Sequence, residues 1–216
     1  MSSKERILGR IRERQGRSGE PAEAEIAAVR AHLAAHARNP MPHDAWDTVT
    51  RFRERALSLA STVDEAATLA DVPPLVAAYL DDRGLPRRAV CWPELVELEW
   101  DRSGIAVEAR GARGDDLVGI TGAYCAISET GTLMTLSGAQ TSPTVSLLPE
   151  THIAVLRCVR IVRTMEDAWA LLRSEHGALP RAVNFISGPS RTADIEQTVT
   201  LGAHGPYRVH IVLVAS

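Results

Sequence analysis

Cysteine is scarce in this chain of 216 residues, and its spacing restricts the chemistry that the chain can carry. Cys91, Cys125 and Cys158 are the three cysteines, and more than thirty residues separate each from the next. An odd number at this spacing does not make a disulfide framework, and iron–sulfur motifs need cysteines that lie close together in the sequence. We therefore predict reduced thiols, and no iron–sulfur cluster held by this chain alone.

Long hydrophobic runs are also missing. No apolar segment approaches the roughly 18 residues that a membrane-spanning helix needs. The first residues, "MSSKERILGRIRERQ", mix charged and aliphatic side chains and lack the apolar core of a signal peptide. We therefore expect a cytoplasmic protein without a membrane span.

Several functional motifs and a basic charge excess are absent as well. The net charge is -3, which argues against broad nucleic-acid binding. "GITGAY" is not a dinucleotide-binding fingerprint, and neither a P-loop nor a G-x-S-x-G nucleophile elbow occurs. His32 and His36 share a helical face but lack the H-E-x-x-H arrangement of zinc enzymes. The sequence predicts no metal site and no bound cofactor.

The hydrophobic periodicity changes near residue 56. Before it, helical patterns at residues 3–15, 23–37 and 44–57 predict an N-terminal helical arm over residues 1–55. After it, strands alternate with helices, which predicts an α/β domain over residues 56–216 with a mostly parallel sheet flanked by helices. The predicted strands include residues 56–61, 88–92, 104–109, 151–157, 182–187 and 207–215, with two extended runs inside 119–137. The predicted helices are 73–82, 165–175 and 192–199.

A polar turn follows the predicted strand at residues 182–187. Ligands of open α/β sheets bind at the carboxyl ends of strands, and the next predicted helix would present its N-terminus to an anion beside Arg191. The alternative is a capped helix start, in which Asp194 and Glu196 stabilise the helix without a ligand. The candidate ligand-binding residues of this turn are Ser187, Gly188, Ser190, Arg191, Thr192, Asp194 and Glu196.

A second polar turn lies in "ISETGTL". Glu129 interrupts an apolar and hydroxylated stretch, where an unpaired buried carboxylate would be costly. The alternative is a glutamate in water on an edge strand. Gly131 allows a close approach to the backbone, and Thr130 and Thr132 add hydroxyl groups. In "GAHGP", His204 is a candidate general base or ligand donor beside Gly205.

Four segments together resemble one known family. "GITGAYCAISETGTL", "LLPETHIAVL", "NFISGPSRTADIE" and "LGAHGP" look like the lactate utilization protein C family, also called the LUD domain, over residues 56–216. The resemblance implies a fold similar to the NagB/RpiA/CoA-transferase group. It also implies membership of a three-protein system that oxidises L-lactate to pyruvate, in which two partner subunits carry the iron–sulfur chemistry.

The two turns and His204 are expected to form the walls of one pocket, in which hydroxyls, backbone amides and Arg191 hold a small carboxylate or a phosphate. An alternative comes from Ser128–Gly131, which resembles the S-E-N-G stretch of CoA transferases with Thr130 in place of Asn. Glu129 would then be a catalytic nucleophile that forms an acyl-glutamyl anhydride. A sugar-phosphate isomerase rests on fold analogy alone.

Overall fold

The computed structural model of the chain describes residues 2–17, 21–38, 45–192, 200–202 and 204–215. Its contacts divide the chain into two compact units, an N-terminal unit of residues 1–42 and a main unit of residues 43–216. This division falls earlier than residue 55, because the third helix packs within the main unit.

Over residues 2–17 and 21–38, the N-terminal unit forms two helices, α1 (Ser3–Arg14) and α2 (Glu23–Ala35). Ser2 begins α1 with a capping box, in which its side chain accepts from the backbone N–H of Glu5 and the Glu5 carboxylate accepts from the Ser2 N–H. This arrangement satisfies two N–H groups that a helix start leaves unpaired. Neither helix contains a buried residue, so both are helices of amphipathic or mixed sequence with exposed apolar side chains.

The residues of the main unit that the structure describes form four α-helices and twelve strands. The helices are α3 (Thr48–Ser58), α4 (Val72–Asp82), α5 (Thr144–Leu147) and α6 (Met165–Glu175). The strands are β1 (Thr62–Ala66), β2 (Arg88–Cys91), β3 (Ala106–Ala109), β4 (Val118–Gly122), β5 (Cys125–Ile127), β6 (Thr132–Leu136), β7 (Thr151–Arg157), β8 (Ile161–Val162), β9 (Val183–Ile186), β10 (Arg191–Thr192), β11 (Thr200–Leu201) and β12 (Arg208–Val214).

Six strands form a parallel sheet in the order β1-β12-β7-β4-β2-β3. All five pairings in it are parallel, with Val212 opposite Val155 and Ile120 opposite Ile153 at its centre. Helices flank this sheet, which confirms the predicted α/β class with a mostly parallel sheet. We call it the large sheet.

A second, four-stranded sheet has the order β8-β5-β6-β9 and is called the small sheet. Its β6 pairs antiparallel with both β5 and β9, and β5 pairs parallel with β8. The predicted strand at residues 182–187 therefore exists as β9, but it does not belong to the parallel sheet. Period-two alternation predicts a strand without indicating which sheet it joins.

Two other local predictions are wrong. Residues 56–61 were predicted as a strand, but α3 continues to Ser58 because Phe52 and Ala56, one helical turn apart, are both fully buried. A helix was predicted to begin at Thr192, but Thr192 is extended and pairs antiparallel with Thr200. The remainder of that predicted helix, residues 193–199, lies outside the described residues.

Successive residues of a strand point to opposite faces of a sheet, and the inner strands β4, β7 and β12 of the large sheet are buried on both faces. Val212 and Val214 pack in a cluster with α4 residues such as Val76. Their neighbours Ile211 and Leu213 pack on the other face with Phe52 of α3 and with the small sheet. Parallel strands covered on both faces explain the uninterrupted apolar run in this part of the sequence.

The small sheet is itself a layer between two apolar clusters. Leu133 contributes to the cluster beneath the large sheet, whereas its neighbour Met134 packs with Cys125 and with Leu172 of α6. The layers of the main unit are thus α4, the large sheet, α3 with the small sheet, and α6. None of the helices within the described ranges is long and apolar enough to cross a lipid bilayer.

Candidate ligand-binding site

Three neighbouring strands of the large sheet end at one cavity of about 210 Å³. Gly122 is the last residue of β4, Arg157 is the last residue of β7, and Glu94 lies in the short 3₁₀ turn Pro93–Leu95 that follows β2. All three residues line the cavity. This is the carboxyl edge of a parallel sheet, where open α/β folds bind their ligands.

A second cavity of about 360 Å³ shares Glu94 and Ala123 with the first, so the two are neighbours. Trp92 and Tyr124 line it from the side of the large sheet, and Ser137 lines it beyond the end of β6. The pair of cavities therefore lies where the carboxyl edge of the large sheet meets the small sheet. We call them together the edge cavities.

The carboxylate of Glu94 lies directly against the main chain of Gly122. A Cβ atom at position 122 would overlap Glu94 Oε1, so only glycine leaves room for the carboxylate there. The residue as a whole is exposed, but burial of its carboxyl end raises the pKa of Glu94, and the positive charge of Arg157 acts in the opposite direction. Glu94 is thus a carboxylate that is more easily protonated than one in water.

Trp92 fixes the turn that carries Glu94. Its backbone N–H donates to the carbonyl of Ile120 at 3.1 Å, and its indole Nε1 donates to the carbonyl of Ser142 at 2.9 Å. The indole is almost fully buried. The position of Glu94 is therefore set by a rigid neighbour, which is what a binding site requires of its supporting residues.

Arg157 has a guanidinium without a protein partner in the described part of the chain. It is exposed, and its side chain makes no hydrogen bond or ion pair there. Arg160, three residues later, is fully engaged: Nη1 and Nη2 hold the Glu175 carboxylate at 2.7 and 2.9 Å, and Nε donates to the Tyr124 carbonyl at 2.8 Å. Of these two arginines, Arg157 is the one available to a ligand.

Arg160 lines the smaller of the edge cavities, and its ion pair with Glu175 holds it in place there. Hydrogen bonds from Arg160, and next from the Tyr124 hydroxyl at 2.7 Å, lower the pKa of Glu175 to about 2. Burial, followed by the bond to Glu175, raises the pKa of Tyr124 to about 12. Both groups therefore keep one charge state near neutral pH, so we assign them to the framework.

The two predicted polar turns do lie together in the structure. The Thr130 and Thr132 hydroxyls are 2.7 Å apart, and the Thr132 hydroxyl is 2.7 Å from the Ser187 hydroxyl. This row of three hydroxyls connects the start of β6 with the end of β9, its pairing partner. The sequence thus identified a true spatial neighbourhood, although it lies on the small sheet.

This neighbourhood packs against the carboxyl end of α3. A Cβ at Gly131 would meet the Ala56 nitrogen at 2.6 Å, and one at Gly188 would overlap the Leu59 carbonyl oxygen. Both glycines have positive φ angles, +69° and +80°, which other residues rarely adopt. Arg191 Nη2 donates to the Leu59 carbonyl at 2.8 Å, so this arginine satisfies a free carbonyl at the helix end.

Glu129, the candidate nucleophile, is half-buried in the turn between β5 and β6. Its backbone N–H donates to the Arg163 carbonyl at 3.0 Å. Within the described ranges its carboxylate has no hydrogen-bond or ion-pair partner. The turn geometry therefore positions the backbone of Glu129, and leaves its side chain to water or to a ligand.

The remaining predicted residues are dispersed. Ser190 bonds through its backbone, donating to the Pro206 carbonyl at 2.7 Å and accepting from Gly202 at 2.9 Å. Gly205 lies close to the Ser190 side chain, and His204 is exposed. Thr192 lies in β10. The structure does not describe Asp194 and Glu196, which fall within the gap at residues 193–199.

The cysteines occupy positions that suit packing. Cys91 and Cys125 are fully buried, and burial raises the pKa of each thiol to about 11. Cys158 is half-buried, and its pKa is raised by burial and then by Glu65. Thiolates are the metal-binding and nucleophilic form, so these environments disfavour both roles. Across the described ranges, no three His, Cys, Asp or Glu side chains are grouped to hold a metal ion.

Reasoning from sequence missed Glu94 and Arg157, although a signal for both was present. Each follows or ends a correctly predicted strand, β2 and β7, so the rule that was applied to residues 182–187 applies equally to them. Neither is surrounded by a cluster of polar residues of the kind that marks residues 187–196. The edge cavities become visible only when the strand order is known.

Comparisons with known proteins agree with the fold. The family model described as the LUD domain matches residues 96–214. A Geobacillus protein named lactate utilization protein C is 33% identical over 174 residues, which cover 74% of this chain and 69% of that protein. A protein of the same name from Exiguobacterium is 43% identical over 100 residues, 45% of this chain and 44% of that protein.

The Bacillus subtilis protein named lactate utilization protein C is 37% identical over 101 residues, 45% of this chain and 42% of its own length. The chain thus matches less than half of the length of two of these three relatives. A crystal structure of a DUF162 family protein from Deinococcus radiodurans superposes with a TM-score of 0.59 at 24% identity, over 78% of this chain and 96% of that one. At this identity the likeness concerns the fold alone.

Proposed function

The chain belongs to the LUD domain family, and we propose on that basis that it is a cytoplasmic subunit of a system that oxidises L-lactate to pyruvate. The observation that carries the proposal is the match of three quarters of the chain to a relative named lactate utilization protein C. Several relatives named lactate utilization protein C support a general role in lactate utilization. Beyond that general role, we propose that the reaction is the oxidation of L-lactate and that partner subunits take part in it.

We place electron transfer in partner subunits that carry iron–sulfur clusters. A four-iron cluster usually takes four thiolates, whereas this chain has three cysteines. The pKa of each of the three thiols is also raised, which disfavours the thiolate form. The part left to this chain is to bind a small anion and to contact the partners. The edge cavities and the hydroxyl row at Thr130, Thr132 and Ser187 are the two candidate places for that anion.

A second candidate function is acyl transfer from coenzyme A with Glu129 as the nucleophile. The observation in its favour is a half-buried carboxylate in a tight turn with no side-chain partner in the described ranges. Incubation of the protein with acyl-CoA and then hydroxylamine would leave a hydroxamate on Glu129, detectable by peptide mass spectrometry. Without that mass change, the acyl-transfer function is rejected.

Deletion of the coding region for this chain in its native host tests the main proposal. We expect growth on L-lactate to be lost and growth on pyruvate to be unchanged, because only the oxidation step is removed. Complementation with the full chain should restore growth and L-lactate consumption. Normal growth of the deletion strain on L-lactate would contradict the proposal.

A further inference from the structure

Glu94 and Arg157 approach one space from opposite sides of Gly122. In the large sheet, β4 lies between β7 and β2. β4 ends at Gly122 and β7 ends at Arg157, whereas Glu94 follows β2. The charge of Arg157 acts on Glu94, yet the two side chains form neither a hydrogen bond nor an ion pair. Opposite charges therefore line one cavity without a direct contact, and Arg160, which also lines it, is already paired with Glu175.

We propose that Glu94 and Arg157 form a binding site for a small 2-hydroxy carboxylate, with Arg157 contacting the carboxylate and Glu94 accepting a hydrogen bond from the hydroxyl. A guanidinium binds a carboxylate through two parallel N–H bonds. A carboxylate accepts hydrogen bonds but does not donate them, so Glu94 recognises a hydroxyl and not a keto oxygen. The choice of L-lactate as the ligand rests on the proposed function above.

The size of the cavity suits a ligand of this class. Its volume of about 210 Å³ is below the roughly 300 Å³ at which pockets for drug-sized ligands begin. Leu69, Leu95 and Val155 line it beside the charged residues Glu94, Arg157 and Arg160. Such a wall can contact the methyl group of a three-carbon acid while the polar ends of the ligand meet Arg157 and Glu94.

The other arginines near the candidate sites are already engaged. Arg160 holds Glu175, and Arg191 donates to the Leu59 carbonyl. A ligand at either would have to compete with an existing hydrogen bond, and the displaced group would lose its partner. Arg157 has no such partner in the described ranges, so a carboxylate binds it without this cost.

Calorimetric titration of the full chain with L-lactate tests the contact to Arg157. We expect Arg157→Gln to weaken L-lactate binding at least tenfold, because one charged hydrogen-bonded contact is lost. Arg113→Gln is the matched control, since Arg113 is an exposed loop arginine outside the edge cavities. Equal affinity of Arg157→Gln and the unaltered chain would overturn the proposal, as would absence of L-lactate binding at millimolar concentrations.

Glu94→Gln tests the contact to the hydroxyl through ligand preference. The amide of glutamine can donate to a keto oxygen, so we expect the ratio of L-lactate to pyruvate affinity to fall by several-fold. Glu97→Gln, an exposed neighbour, should leave that ratio unchanged. A purely structural role for Glu94 would weaken both ligands equally, and that result would overturn its assignment. Thermal melts confirm that each variant is folded before titration.

The binding and growth experiments separate this site from the proposed function. If deletion abolishes growth on L-lactate but the chain does not bind L-lactate, the proposed function stands and this site fails. If the chain binds L-lactate through Arg157 but deletion leaves growth unchanged, the site stands and the proposed function fails. Arg157→Gln in the complemented strain should slow growth on L-lactate if both hold.

Discussion

Thr121 Oγ1 and His152 Nε2 lie 2.8 Å apart in the interior of the large sheet, and both residues are fully buried. The second ring nitrogen of His152 has no hydrogen-bond partner in the described structure. Burial lowers the pKa of His152 to about 4, so the ring is neutral near pH 7. Burial, together with the nearby charge of Arg83, lowers the pKa of His210 to about 4 as well.

Because these two histidines are buried in the neutral form, we expect the free energy of unfolding to fall in acid. Their pKa is lower in the folded chain than the ordinary 6.5, so the unfolded chain takes up protons first. The contribution of the neutral histidines to stability is therefore fully present above pH 6.5 and is lost as the pH falls towards about 4. A shift of this size corresponds to on the order of 3 kcal/mol for each histidine. Urea denaturation across this pH range measures the loss.

His152→Gln isolates the contribution of one histidine. The variant should lose less stability between pH 6.5 and 4 than the unaltered chain, whatever its stability at neutral pH. An unchanged slope for His152→Gln would show that His152 is not an acid-sensitive group.

Gly131→Ala should destabilise the main unit more than Gly84→Ala does. Both glycines have positive φ, which costs an alanine about 1–2 kcal/mol. A Cβ at Gly84 meets no atom within 4 Å, whereas one at Gly131 meets the backbone of Arg55 and Ala56 below 3 Å. The overlap adds a cost of about 1–3 kcal/mol. Equal stability losses in chemical denaturation would contradict the close packing of this turn on α3.

Removal of residues 1–42 should leave a main unit that unfolds cooperatively. The two helices of the N-terminal unit contain no buried residue. Removal of residues 1–58 is the contrasting truncation, because it takes away the fully buried Phe52 and Ala56. Loss of a buried phenylalanine alone costs about 3–5 kcal/mol. Thermal melts followed by circular dichroism should show a sharp transition for the shorter deletion and a much less stable product for the longer one.

The isolated chain should bind no stoichiometric iron. Burial raises the pKa of each of its three thiols. The usual cluster motifs also need thiolates that lie close together in the sequence. Iron and sulfide analysis after anaerobic reconstitution measures this directly. A four-iron spectrum at one cluster per chain would move electron transfer back into this subunit.

Glu129→Gln should leave the free energy of unfolding within about 0.5 kcal/mol, because the carboxylate has no partner in the described ranges. If the hydroxyl row beside it binds the anion, the same variant and Arg191→Lys should both slow L-lactate oxidation. Arg191→Lys also weakens the contact to the Leu59 carbonyl, so its stability is measured in parallel. Full activity of both variants would exclude the pocket on the small sheet.

Local sequence patterns were sufficient for most of the elements of the large sheet. The predicted strand at residues 151–157 is β7, and the predicted helix at residues 165–175 is α6, residue for residue. Continuous apolar runs between polar turns carry that information. The order of the strands within a sheet cannot be read from such local patterns, because it depends on which distant segments of the chain pair. The sequence therefore placed β9 in the parallel sheet, whereas the structure pairs it with β6 in the small sheet.

The candidate residues show the same limit at the level of single side chains. The sequence brought Thr132 and Ser187 together correctly: Thr132 begins β6, and Ser187 follows the last residue of β9, which pairs with β6. It did not reveal that Arg191 donates to the Leu59 carbonyl at the end of α3, since residues 56–61 were predicted as a strand and the third helix as part of a separate arm. Whether an arginine is available depends on tertiary neighbours, which no local pattern contains.

Only Ala123 and Tyr124 separate the end of β4 from the start of β5, so the chain passes from the large sheet to the small sheet in a single step beside the edge cavities. A linker of two residues permits little independent travel of the two sheets at this point. Any sliding of one sheet over the other must change the distance between Glu94 and the β6 end, which face the same space. The distance across the edge cavities is therefore set by how the two sheets pack at this joint.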